Sequence, residues 1–219
     1  MKTVKLCLGI LIIPLNVLLF VSFPYRYIVK SVDYHYLLLF ILGTTTYMLL
    51  HILRKTEGYY IWNHELSHLV IAKVFMKKIK GFHITSGKGG RVVVSESNWL
   101  IDLAPYYFSP ILLTILLLSL IIIRGKIPYA ERSYFFLFGF HMTLMLAFTG
   151  DSLMKGQEDL KKNGYLFSLS VIFLLHLITT SIFLIPAVGN KIEFLKELYF
   201  GWFSNLDGVS RLLFEILIK

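Results

Sequence analysis

Apolar residues along this chain gather into long runs separated by short polar connections, without the strict alternation of a half-buried strand. Six runs stand out, near residues 4–22, 34–53, 59–77, 99–123, 133–150 and 164–187. A helix of about 20 apolar residues crosses a hydrocarbon core of about 30 Å, so the pattern predicts an all-α polytopic membrane protein with about six transmembrane helices. Two stretches break the pattern. Between the third and fourth runs, Ile79 to Thr85 and Arg91 to Ser95 are β-prone and flank the Gly-rich Ser86 to Gly90, which predicts a small β-hairpin. The fourth run opens with Asp102, Pro105 and Pro110 before it becomes aliphatic, so its first turns are expected to be irregular and shielded by protein or water. After the last run, Leu206, Val209, Leu213, Ile216 and Leu217 recur at helical spacing, in a segment too short to cross a bilayer and suited to lying on it.

Composition agrees with lipid as the solvent. Of 219 residues, 56% are hydrophobic and 16% charged, which excludes an ordinary soluble domain. The net charge of +9 comes from Lys and Arg placed between the apolar runs, with no basic stripe interleaved with aromatics. Anionic lipid headgroups are therefore the expected counterions, and nucleic acid is not an expected partner. The 22 Lys and Arg residues divide evenly between the two faces of a six-span arrangement, which leaves orientation open. Lys2 and Lys5 precede the first run without a small-residue cleavage site after it, so an uncleaved span is expected in place of a signal peptide. Cys7 is the single cysteine, and neither a disulfide within the chain nor a thiolate metal site can be built from it.

The third run carries the chemistry. It contains His64-Glu65-Leu66-Ser67-His68, and residues four apart share one face of a helix, so both imidazoles can reach one metal ion. Glu65 follows the first histidine closely enough to serve as general base on a water at that metal. An ionisable group at the centre of a spanning helix costs about 2.5 to 3.5 kcal/mol, and here three fall within five residues. A zinc ion would offset that cost. A satisfied polar cluster joining helices is the alternative.

An HExxH run in an apolar span, followed by a Gly-Gly hairpin and a Pro-interrupted span, resembles the site-2 protease family of intramembrane zinc metalloproteases. The resemblance covers roughly residues 59–160. It implies that His64 and His68 are zinc ligands and Glu65 the catalytic glutamate, and Ala104-Pro105 is similar to a small-residue and Pro feature of the family's next core span. It also implies a three-helix core cutting other proteins' transmembrane segments, with an extended substrate able to pair with a hairpin edge. On this reading residues 1–58 form two N-terminal spans, 59–163 the catalytic membrane core, and 164–219 the last span and its amphipathic tail.

The third ligand departs from the family, which usually supplies an Asp in an Asn-Pro, Leu-Asp-Gly context; this chain has no Asn-Pro pair. Asp151 is favoured by topology, because it closes the fifth span on the side where the His64 helix ends. Asp159 lies on the same side among Lys155, Lys161 and Lys162, where a solvated carboxylate is equally natural. His141 sits at mid depth of the fifth span. Asp207 has the Asn205-Leu206-Asp207-Gly208 context but follows the sixth span. Tyr59, Tyr60 and Trp62 read as interfacial aromatics, and Asn63 and Asp102 as supporting or water-channel groups.

The expected function is a zinc metalloprotease, integral and multi-pass in the membrane, acting on a membrane-protein or peptide substrate. A metallopeptidase working at the membrane surface and a catalytically inactive scaffold are the alternatives. A metal-holding transporter is less favoured, since no internal repeat is visible.

Overall fold

The computed structural model describes residues 2–53, 57–85, 89–124, 130–185, 188 and 190–218, with side chains described at all of these except 57, 119, 120, 122–124, 130, 131 and 205–218. The chain is mostly helical. In order, α1 (Lys2–Val21), α2 (Tyr25–Ser31), α3 (Tyr34–Ile52) and α4 (Glu57–Val74) precede a hairpin of β1 (Ile79–Thr85) and β2 (Gly89–Val94). Then follow α5 (Trp99–Tyr107), α6 (Pro110–Arg124), α7 (Ala130–Lys155), α8 (Glu158–Asn163), α9 (Tyr165–Leu184) and α10 (Lys191–Ile218).

All six apolar runs fall on helices, but they do not all qualify as spans. Among the described residues, four helices are long and apolar enough to cross a membrane, at Lys2–Ser31, Tyr34–Ile52, Arg132–Lys155 and Tyr165–Leu184, or five if α5 and α6 count as one bent span. α4, whose run is interrupted by Asn63, His64, Glu65, Ser67 and His68, is not in that set. The outer surface is apolar, with Leu11 69%, Val21 73% and Ile121 68% exposed, whereas Asn63, Glu65 and Asp102 are buried. Apolar side chains outside and ionisable ones inside is the distribution that a lipid solvent favours. The amphipathic segment expected at 205–218 is the second half of α10, whose side chains there lie outside the described residues, Asp207 among them.

The hairpin forms as expected, antiparallel with Ile79 opposite Val94 and Thr85 opposite Gly89, and with an irregularity between Ile79 and Gly81. Its turn, 86–88, lies outside the described residues. The irregular fourth run is a helix break: α5 and α6 meet at 57°. Pro110 has no N–H to continue the ladder, and α4 satisfies the groups that the break frees. Ser67 Oγ lies 2.9 Å from Phe108 O, sharing its proton with Asn63 O at 2.7 Å, and Ser109 Oγ donates to Asn63 Oδ1 at 2.8 Å. Asn63, just before the first histidine, and Ser67, between the two, thus help to join α4 to the broken helix.

Two helix groups flank this centre. α3 and α7 approach so closely that a Cβ on Gly43 would lie 2.0 Å from Phe136 O and one on Gly139 would lie 2.1 Å from Phe40 O. Such backbone-to-backbone packing is how helices associate where water supplies no driving force. α1 packs on α9, with Asn16 Nδ2 donating to Ser170 O at 2.8 Å. α5 lies against α4, α7, α8 and α9 and connects the groups.

Gly139→Val should lower stability in detergent by about 1–3 kcal/mol through overpacking against α3, read as a drop in the thermal unfolding midpoint. Gly58→Ala, which meets open space, should cause no loss.

Candidate metal centre

The i, i+4 spacing on α4 places His64 and His68 together, with ring centroids 4.9 Å apart. Asp159 completes the group: its Oδ2 lies 3.4 Å from His64 Nε2 and 3.5 Å from His68 Nε2. Among the described residues these three form the one set of His, Cys, Asp or Glu side chains whose ligand atoms all fall within 4.8 Å of one another, and they could hold a metal ion. Burial alone would raise the Asp159 carboxyl, but hydrogen bonds to the two histidines and their charge outweigh it and hold the group well below the usual carboxylate range.

Each imidazole is aimed by its other nitrogen. His68 Nδ1 donates to Ile101 O at 2.7 Å, which fixes the tautomer and leaves Nε2 for the site. His64 Nδ1 is 2.9 Å from Tyr60 OH, which in turn lies 3.4 Å from Ser152 Oγ, and the Tyr60 ring stacks on Phe148 at 3.6 Å and 5°. Tyr60 is therefore a buried partner of a candidate ligand and not an interfacial aromatic; its position four residues before His64, on the same helix face, was the available signal.

Glu65 points from α4 towards the hairpin. Its carboxylate accepts from the Val92 backbone N–H, and a Cβ on Gly90 would lie 2.4 Å from Glu65 Cγ. The second glycine of the pair is needed because strand β2 passes directly over the glutamate. A cavity of about 530 Å³ opens here, lined by His64, Glu65, His68 and Asp159 on one side and by Gly89 to Val92 on the other.

The carboxylate that joins the two histidines as third candidate ligand is Asp159, and not Asp151, the residue that the span order favours. α7 ends at Lys155, and Gly156, at φ +63, reverses the chain with Gln157 N bonded to Ser152 O at 3.0 Å. The short α8 that follows returns to the histidines with Asp159 in its first turn. Asp151, more than one turn earlier, has its Oδ2 3.7 Å from His51 Nε2 and borders a neighbouring cavity of about 220 Å³ with Phe148 and Ser152. His141 is buried in α7 with its Nδ1 3.0 Å from Tyr59 OH, apart from the group. Asn63 serves the helix break, and Asp102 binds α8 through Lys162 and Asn163.

No model of a known protein family matches the chain, and no curated protein or solved structure matches it either.

Asp159→Asn should weaken metal binding by more than about 100-fold, beyond the loss typical of residues that merely support a ligand. Asp151→Asn should retain the metal. Metal content after dialysis against a weak chelator compares the two, and equal retention would remove Asp159 from the site.

Proposed function

We propose that this chain is a zinc-dependent endopeptidase of the membrane, hydrolysing peptide bonds in or near transmembrane segments of other proteins. The observation that carries the reading is the convergence of His64, His68 and Asp159 beside Glu65 in one cavity roofed by β2. The donor set fits zinc. Bonds of about 2.0–2.1 Å in a tetrahedral site separate ligand atoms by about 3.3–3.4 Å, close to the observed 3.4 and 3.5 Å. Two imidazoles and one carboxylate leave a fourth position open, as in zinc hydrolases. The resemblance of residues 59–160 to site-2 proteases points the same way.

Zinc bound there would supply Lewis acidity, polarising the scissile carbonyl and acidifying water. Glu65 takes the proton of the attacking water as general base and returns it to the leaving amine nitrogen. The Val92 N–H orients the carboxylate for that exchange. The Ile101 carbonyl and the Tyr60 hydroxyl keep the two imidazoles from rotating. β2 lines the cavity beside Glu65, so an extended peptide laid along it would pass the base.

One observation favours a second reading within the same chemistry. Asp159 lies beyond the end of the Arg132–Lys155 helix and before Tyr165–Leu184, at the level of helix ends. A peptidase acting on soluble or terminal peptides at the membrane surface would place its metal there.

Zinc should be stoichiometric in both wild type and Glu65→Gln, while cleavage falls by about 10²–10⁴-fold in the variant. A panel pairing transmembrane-segment substrates with soluble peptides decides between the two readings, and folded wild type without zinc would sink both. Gly90→Val should keep the metal yet slow cleavage about 100-fold by displacing Glu65, checked by measuring zinc and turnover on one preparation.

A further inference from the structure

Asp159 sits on an element that cannot hold itself in place. α8 has six residues, Glu158–Asn163, between Gly156 and Gly164, at φ +63 and +85. A short helix of this length is not stable alone, and the glycines on either side have no side chains with which to pack it. Its position must come from outside.

Leu160 packs α8 into the apolar cluster of Leu103, Tyr106 and Phe167, and α5 adds polar ties. Asp102, itself buried, receives Lys162 Nζ on Oδ1 at 3.0 Å and Asn163 Nδ2 on Oδ2 at 3.1 Å, while Ser97 Oγ donates to Oδ1. The same Asn163 amide donates to the backbone oxygen of Asp159 at 3.1 Å. Lys5 of α1 donates to the remaining amide oxygen of Asn163. One side-chain amide thus bridges the Asp102 carboxylate and the main chain of the residue that faces the histidines. The neighbouring residue, Ile101, orients His68 with its carbonyl. Two consecutive positions on α5 therefore aim two of the three candidate ligands.

We propose that Asp102 is a positioning residue for the metal centre, acting through Asn163 and Lys162 to set the Asp159 carboxylate against His64 and His68. The proposal rests on the metal-centre reading above. Asp102 is outside the group of candidate ligands and does not touch the reacting atoms. Its effect is on how well three ligands meet, so metal affinity and ligand-field spectrum should respond to it while the helices stay folded.

The test is a double-mutant cycle on the full chain in detergent, using Co2+ as a visible probe and a competing chelator to measure affinity. Asp102→Ala should bind Co2+ about tenfold more weakly or worse, with its visible bands shifted towards those of Asp159→Asn. The double variant should be no weaker than Asp159→Asn alone, because Asp102 acts only through Asp159. Additive losses, or wild-type affinity in Asp102→Ala, would overturn the proposal and leave the metal centre standing. Failure of folded wild type to bind Co2+ would sink the metal centre and this inference with it. If Asp102→Ala does not fold, Asp102→Asn completes the same cycle: it keeps the side chain's size and removes the charge that holds Lys162. Restoration of the wild-type spectrum in that variant would also count against the proposal.

Discussion

The structure depends on the burial of ionisable groups on α4. His64 and Glu65, together with Asn63 and Ser67, are buried, and His68 is half-buried, in a molecule whose outer face is apolar. In such surroundings an unpaired polar group costs several kcal/mol, about as much as a domain can lose. The neighbouring elements are accordingly arranged as partners. The broken α5–α6 helix offers Phe108 O and Ser109, β2 offers the Val92 N–H, α7 supports Tyr60 through Ser152 and Phe148, and α8 brings Asp159.

The helix break and the glycines follow from the same demand. Without the break after Tyr107, Ser67 would have no open carbonyl to meet and Asn63 no hydroxyl. Without Gly90, β2 could not approach Glu65. Without Gly43 and Gly139, α3 and α7 could not close the wall behind Tyr60. The centre is held by irregular backbone, and the polar groups that irregular backbone frees are here enclosed and bonded by protein.

The site is built largely from one end of the bundle. α5 aims His68 and anchors α8, and the connection between α7 and α9 carries the carboxylate. Because α1 reaches the same network through Lys5, its hydrogen bond to Asn163 ties the first helix to the centre.

Local pattern was enough for much of this. Long apolar runs, the β-prone pair around glycines, the proline pair in the fourth run and the four-residue spacing of His64 and His68 each depend on neighbours in sequence, and the elements lie close to where those signals put them, with β2 beginning at Gly89 instead of Arg91. Among the described residues four or five helices are long and apolar enough to cross a membrane, and α4, which carries the two histidines, is not one of them. The third candidate ligand and the role of Tyr60 were not decided by local pattern. Span order pointed to Asp151, but the reversal at Gly156 sends the chain back and presents Asp159, among lysines that made it look solvated. Asp102 gave no sign in sequence of its bond to a residue 61 positions away. By itself the sequence determined the long apolar helices and which pair of histidines shares a face, since periodicity and propensity act over one or two turns; the short α2 and α8 and the first half of α10 lie outside those apolar runs. Only the tertiary structure decided which carboxylate meets that pair and what holds it there, because those contacts join residues that no periodicity connects.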